Sequence, residues 1–177
     1  MSIPHLKNDY IITTMKKLLA ILIILTIWGL VFRPPVEGGT ISSWYGIRIL
    51  NDRSFHTGTD IALPIGSPVN PPIHGTVAET GYNERNGNYI IITHLPRTDT
   101  RYLHLHSIGV RTGEKVDARS VIGTVGNTGI STGSHLHYEI RVFNVSLPPY
   151  FISFPGRLLQ KTGIYGIIDN IIGFFKG

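Results

Sequence analysis

Residues His135 to Val142 read His-Leu-His-Tyr-Glu-Ile-Arg-Val, an unbroken alternation of polar and apolar side chains. Successive side chains of an extended strand point to opposite faces. His135, His137, Glu139 and Arg141 therefore share one face, and Leu136, Tyr138, Ile140 and Val142 share the other, the one that packs. Tyr102 to His106 repeats the device: the pattern predicts Tyr102, His104 and His106 on one face and Leu103 and Leu105 on the other. Two strands are thus expected to present histidine outward from a packed back.

The rest of the chain after Gly38 agrees with a β fold. Short runs rich in Ile, Val, Tyr and Thr alternate with Gly, Pro and Asn, the punctuation of an all-β domain. Strands are expected at Gly75 to Glu79, Tyr89 to His94, Thr100 to His106, Val121 to Val125 and His135 to Phe143. Turns are expected at Asn86-Gly87, Arg111 to Gly113 and Gly126 to Gly133. Pro148-Pro149 ends the last strand, because proline supplies no ladder donor. Beyond it, Ile164, Ile167, Ile168, Ile171, Ile172 and Phe175 recur at three- and four-residue steps, which predicts a short amphipathic helix in a tail of residues 151–177.

At the other end, Met15-Lys16-Lys17 precedes Leu18 to Phe32, fifteen uncharged and mostly apolar residues. As a helix rising about 1.5 Å per residue they span roughly 22 Å, a length that suits a signal-peptide core or a short membrane anchor. Lys16 and Lys17 on the near side predict a cytoplasmic start and an exported domain on the outer side of the cytoplasmic membrane. Residues 1–14 then read as a cytoplasmic stub or as the product of an upstream start, residues 15–32 as signal peptide or anchor, 33–40 as a linker and 41–150 as the domain. The eight-residue linker reaches at most about 29 Å, too short for an occluding domain between anchor and β fold.

Charge and cysteine content exclude several classes of function. The chain carries +5 overall, and from residue 33 onward thirteen cations face ten anions, a balance of +3. That suits an anionic envelope polymer and falls far short of the basic stripe of a nucleic-acid binder. The absence of cysteine rules out disulfides, thiolate metal sites and a lipid-modified cysteine after the apolar segment.

Eight histidines are many for 177 residues. His56-Thr57-Gly58-Thr59-Asp60 offers an imidazole and a carboxylate four residues apart, with Gly58 allowing the bend that aims both at one ion. Two imidazoles and a carboxylate are a typical catalytic zinc set that leaves a fourth position for water or substrate. The His-x-His strand and the histidine-bearing strand at 102–106 supply further imidazoles, and the spacing alone does not choose among them.

Over residues 41–143 the chain resembles the lysostaphin-like, or LytM-type, zinc metallopeptidases, the peptidoglycan endopeptidases. The resemblance is carried by Ser43-Trp44-Tyr45-Gly46-Ile47-Arg48, Phe55-His56-Thr57-Gly58-Thr59-Asp60-Ile61-Ala62, Gly66-Ser67-Pro68-Val69 and Gly75-Thr76-Val77. It continues in Thr100-Arg101-Tyr102-Leu103-His104-Leu105, Gly123-Thr124-Val125-Gly126 and Thr128 to Glu139, which ends Gly133-Ser134-His135-Leu136-His137-Tyr138-Glu139. It implies an antiparallel β-sheet domain with a substrate groove, and one Zn²⁺ bound by His56, Asp60 and His137. It makes His104 and His135 the catalytic histidines that do not bind metal, and wall peptides the substrate.

Tyr102, on the face expected for His104, becomes a candidate substrate or oxyanion contact, with packing within the sheet as the alternative. His94 and His106 match no ligand position and read as strand-end surface residues, as do His74 in a turn and His5 in the stub. Some relatives of this kind are silent binders or activators of other hydrolases, typically with ligands lost, whereas all three ligand positions are filled here. Two departures from the family pattern concern the groove edge: Ser134 replaces a common proline, and Phe143 to Pro149 replaces a glycine-containing turn.

Overall fold

A computed structural model describes residues 12–21, 23–24, 33–48 and 54–149. Between residues 40 and 147 the regular structure is antiparallel strand, in agreement with the sequence. The large sheet runs, from edge to edge, β1 (Thr40–Ser43), β4 (Thr59–Ala62), β12 (His135–Val142), β8 (Thr98–Leu105), β7 (Gly87–Leu95), β6 (Gly75–Asn83) and β10 (Lys115–Val116). A further strand, β13 (Val145–Leu147), pairs with the end of β12. A second sheet holds β5 (Pro68–Val69), β11 (Gly123–Thr124) and β9 (Ser107–Ile108), and β2 (Gly46–Ile47) pairs with β3 (Phe55–His56).

One face of the large sheet is dry. Leu136, Tyr138 and Ile140 of β12, Ile90 and Ile92 of β7, Tyr102 and Leu105 of β8 and Ile61 of β4 are buried there together with Val69, Ile122 and Val125 from around the small sheet. The small sheet lies close against this face: a Cβ added at Gly123 would stand 3.5 Å from both Ile90 Cδ1 and Leu105 Cδ1. Burying this apolar face is what fixes the register of β12, since a one-residue slip would turn the core set outward and the histidines inward.

The alternation predicted for β12 is the one observed. In β8 it holds only in part. Tyr138 pairs with Tyr102 and His137 with Leu103, so Tyr102 faces the core and Leu103 lies on the histidine face, the reverse of the sequence expectation. The cause is an irregularity in the pairing of β7 with β8: Asn88 lies opposite Leu105 and Ile90 opposite Tyr102, which gives β8 one extra residue. His104 sits in this bulge at φ +63°. A bulge re-aims a side chain, and here it returns His104 to the face of His137 while Leu105 stays in the core.

His94 corrects a second expectation. It is buried rather than at the surface, its Nδ1 within 2.8 Å of the His74 carbonyl and its Nε2 within 2.8 Å of Thr100 Oγ1. His106 is exposed, as expected. The turn after β12 is the two-residue pair Phe143-Asn144, with φ +50° and +64°, which closes Val142 on Val145. Two left-handed residues match the twist of a tight hairpin, so this segment turns without glycine.

Residues 12–21 are helical, and no described helix is long and apolar enough to cross a membrane. Residues 22 and 25–32 of the expected signal or anchor segment, and the whole expected amphipathic helix, lie outside the described residues.

Gly58 links β3 to β4 where the two strands come against β12. A Cβ there would stand 2.5 Å from the Tyr138 carbonyl oxygen and 2.7 Å from His137 Nε2. Backbone cannot yield as a flexible side chain does, so Gly58→Ala should destabilise the domain by about 1–3 kcal/mol, the usual cost of overpacking. Chemical denaturation of the two proteins measures this, and equal stability would show that β3–β4 is looser than described.

Candidate metal centre and active site

Asp60 and His137 are directly paired residues of β4 and β12, so the sheet itself sets their side chains on one face. His56 arrives from β3, whose pairing with β2 places Gly46 opposite it. The three side chains converge through His56 Nε2, Asp60 Oδ1 and His137 Nδ1. The separations are 3.1 Å between His56 and Asp60, 3.0 Å between the two histidines and 2.7 Å between His137 and Asp60. All three residues are buried.

The outer nitrogen of each ring determines what the inner one offers. His56 Nδ1–H donates to the Trp44 carbonyl at 2.8 Å, and His137 Nε2–H donates to Glu139 Oε1 at 3.2 Å. Both partners only accept, so each tautomer is assigned from its neighbour. In the neutral rings the inward nitrogens are then lone pairs, and they meet a carboxylate oxygen. Three acceptors facing one another favour a proton or a metal cation between them.

The electrostatics agree. Burial alone would raise the pKa of Asp60, but hydrogen bonds and charge from His137 and His56 hold it well below the ordinary carboxylate range. Burial would lower His137, yet Asp60 and Glu139 together push it up. Glu139 is itself held down, against its burial, by His137, by Thr57 and by the charge of Arg101. The surroundings favour positive charge at the meeting point. Ligands at about 2.0–2.2 Å around a tetrahedral ion lie roughly 3.3–3.6 Å apart. The observed triangle is tighter than this, most of all at the 2.7 Å edge between His137 and Asp60, and its donor set of two imidazoles and one carboxylate fits a metal site.

Two further histidines stand beside this group. The His104 ring centre is 4.9 Å from that of His135 and 6.0 Å from that of His137. His104 Nδ1–H donates to the Thr128 carbonyl at 2.8 Å and His135 Nδ1–H to the Gly133 carbonyl at 2.8 Å, so in both neutral rings Nε2 carries the lone pair. His135 Nε2 lies 3.7 Å from Asp60 Oδ1. Burial lowers the pKa of His104, partly offset by its bond to Thr128, and keeps the ring neutral near neutral pH. The loop that positions His104 is tied down through the Thr128 hydroxyl, which donates to the Leu105 carbonyl at 2.8 Å and accepts from the Asn88 amide at 3.0 Å.

An open cleft of about 520 Å³ leads to Asp60 and His135, lined also by Ser42, Ser43, Ile47, Arg48 and Thr132. Five histidine and aspartate residues expected at a site, His56, Asp60, His104, His135 and His137, are brought together. Tyr102 is not. It has no exposed surface, its ring packs 5.4 Å from that of Tyr138 on the opposite face, and its hydroxyl is 2.9 Å from Thr100 Oγ1. This corrects the expectation of a substrate contact, and the β8 bulge is the reason. Ser134, one of the two departures, donates to the Leu63 carbonyl at 2.6 Å and so ties the start of β12 to the strand beside it.

Sequence reasoning assigned no role to Glu139, Thr57 or Arg48. Glu139 takes the outer nitrogen of His137 and accepts from Thr57 Oγ1 at 2.5 Å, while Arg48 Nη2 donates to Asp60 Oδ2 at 3.1 Å. Glu139 left a signal, since it shares the face of His137 two residues on. The Trp44, Thr128 and Gly133 carbonyls left none, because any residue supplies a carbonyl.

The model of Peptidase family M23 matches residues 54–149, just over half of the chain. Peptidoglycan DD-endopeptidase ShyC of Vibrio cholerae serotype O1 is 39% identical over 127 residues, 70% of this chain and 29% of that protein. DD-carboxypeptidase/endopeptidase Mpg of Neisseria meningitidis serogroup B is 39% identical over 131 residues, 72% of this chain and 30% of that protein. This chain thus spans less than a third of the length of either relative. Among solved structures, a zinc containing peptidase from Vibrio cholerae superposes with a TM-score of 0.63 at 35% identity, covering 68% of this chain and 39% of that one.

Outer partners that fix the tautomer of a ligating histidine typically contribute 10–100-fold to metal affinity. Glu139→Gln keeps the size of the side chain but removes its charge, and should weaken metal binding by about that factor in a chelator competition titration. Unchanged affinity would show that Glu139 does not orient His137.

Proposed function

The chain belongs to peptidase family M23, and on that premise we propose that it is a zinc endopeptidase that hydrolyses peptide bonds in bacterial peptidoglycan. The observation that carries this reading is the convergence of His56 Nε2, Asp60 Oδ1 and His137 Nδ1, all acceptors, within hydrogen-bonding distance of one another at the end of a cleft. These three residues hold the metal. Bound Zn²⁺ supplies Lewis acidity toward the scissile carbonyl and toward a water molecule. The wall as substrate is supported by the relatives named as peptidoglycan DD-endopeptidases.

The chain's own residues move the proton. His104, kept neutral by burial, accepts it at Nε2 from the attacking water while Nδ1–H stays on the Thr128 carbonyl. The same imidazolium, or His135 beside it, then delivers a proton to the leaving amine as the C–N bond breaks, so the products are a carboxylate and an amine. The fixed Nδ1–H bonds prevent either ring from turning its lone pair away. The domain works on the outer side of the cytoplasmic membrane, exported or tethered by residues 18–32, a placement supported by Lys16 and Lys17 ahead of that apolar run.

Purified wall incubated with the full zinc-loaded chain should release new amine ends, detected by mass analysis, and a chelator should abolish the release. His104→Ala and His135→Ala should each lower kcat by about 10²–10⁴-fold, the usual contribution of a positioned acid or base, while zinc content stays the same. No new amine ends from the zinc-loaded protein would refute the endopeptidase reading.

A further inference from the structure

The cleft beside the metal ligands carries a charge that proton transfer does not use. Arg48 lines it, its side chain 42% exposed, and among the described residues its side chain has one hydrogen bond, from Nη2 to Asp60 Oδ2. A guanidinium has five donors in a planar fork suited to a carboxylate. Its neighbours in the lining, Ser42, Ser43 and Thr132, add hydroxyls, and Arg48 is the one permanent cation among the described residues there. A half-exposed cation with spare donors, in a cleft that hydroxyls also line, is the chemistry of a carboxylate receptor.

Its position narrows which carboxylate. Asp60 turns Oδ1 toward His56 and His137 and Oδ2 toward Arg48, so the guanidinium lies one carboxylate width from the proposed metal ligands. A peptide whose scissile carbonyl is held there brings only the immediate neighbours of that bond within reach of Arg48. We propose that Arg48 is the specificity residue of the cleft, binding a free carboxylate on the carbon that bears the scissile nitrogen.

This deepens the endopeptidase reading and rests on it. The carboxylate it describes occurs wherever the amine side of the bond is the α-centre of an amino acid with a free carboxyl group, in a cross-link or at a chain end. One recognition element therefore serves both cleavage of such cross-links and removal of a terminal residue. The interior of a glycine bridge carries no such charge and is a poor substrate.

The test uses the full zinc-loaded chain and two synthetic cross-linked stem-peptide dimers, identical except that this carboxyl group is free in one and a carboxamide in the other. Wild type should favour the free acid by about 10–100-fold in kcat/KM, the usual worth of a hydrogen bond to a charged group. Arg48→Gln should erase that preference while keeping one zinc per chain, and Arg48→Lys should restore part of it. Calorimetry with the amine product peptide, in its carboxylate and carboxamide forms, should show the same preference in wild type and its loss in Arg48→Gln. Equal use of both dimers by wild type, or an equal fall on both in Arg48→Gln, would overturn the proposal and leave Arg48 as a support for Asp60. If neither dimer is cut, the endopeptidase reading fails, and the calorimetry alone still decides whether Arg48 selects a carboxylate.

Discussion

The site depends on a pairing that the sheet makes unavoidable: Asp60 directly opposite His137 across β4 and β12. Cross-strand partners share a face, so once the backs of these strands are buried the carboxylate and the imidazole must meet on the front. Thr59, Ile61, Leu136 and Tyr138, all at the back, are what hold the register. The core and the site are therefore two sides of one constraint, and a change on the dry side acts on the chemistry by way of strand position.

Around that pair the protein arranges acceptors outward and lone pairs inward. Four rings, His56, His104, His135 and His137, each give an outer N–H to a carbonyl or carboxylate, and those of His56, His135 and His137 turn the other nitrogen toward Asp60 Oδ1. Burying so many acceptors together is costly unless a cation joins them. The same arrangement sets the proposed ligands apart from the proposed proton carriers. His137 lies between two carboxylates that favour positive charge, whereas burial dominates at His104 and keeps it neutral. Two histidines from neighbouring strands thus have opposite tendencies because of what surrounds them.

How much of this was legible in the sequence followed from what each feature needs in order to be seen. The all-β class and the two faces of β12 could be read directly, because alternation is a property of neighbouring residues. The spacing of His56 and Asp60 suggested a metal, but choosing His137 over His135 took the family resemblance. In the structure the cross-strand register sets His137, not His135, opposite Asp60. Tyr102 and Leu103 were assigned to the wrong faces because one bulge at His104 shifts the alternation, and its φ of +63° has no sequence signature in a non-glycine residue. His94 reads from its neighbours as a strand-end surface residue, because the sequence does not show that Thr100 and the His74 carbonyl meet it in the interior.

The central claim is that the inward donors of His56, Asp60 and His137 bind one zinc ion together. X-ray absorption at the zinc edge of the loaded protein tests it most directly. The account predicts nitrogen and oxygen ligands only, at about 2.0–2.2 Å, with the outer-shell scattering of two imidazoles, and loss of one imidazole or of the metal in His137→Ala. A spectrum without imidazole scattering, or one that His137→Ala leaves unchanged, would contradict it.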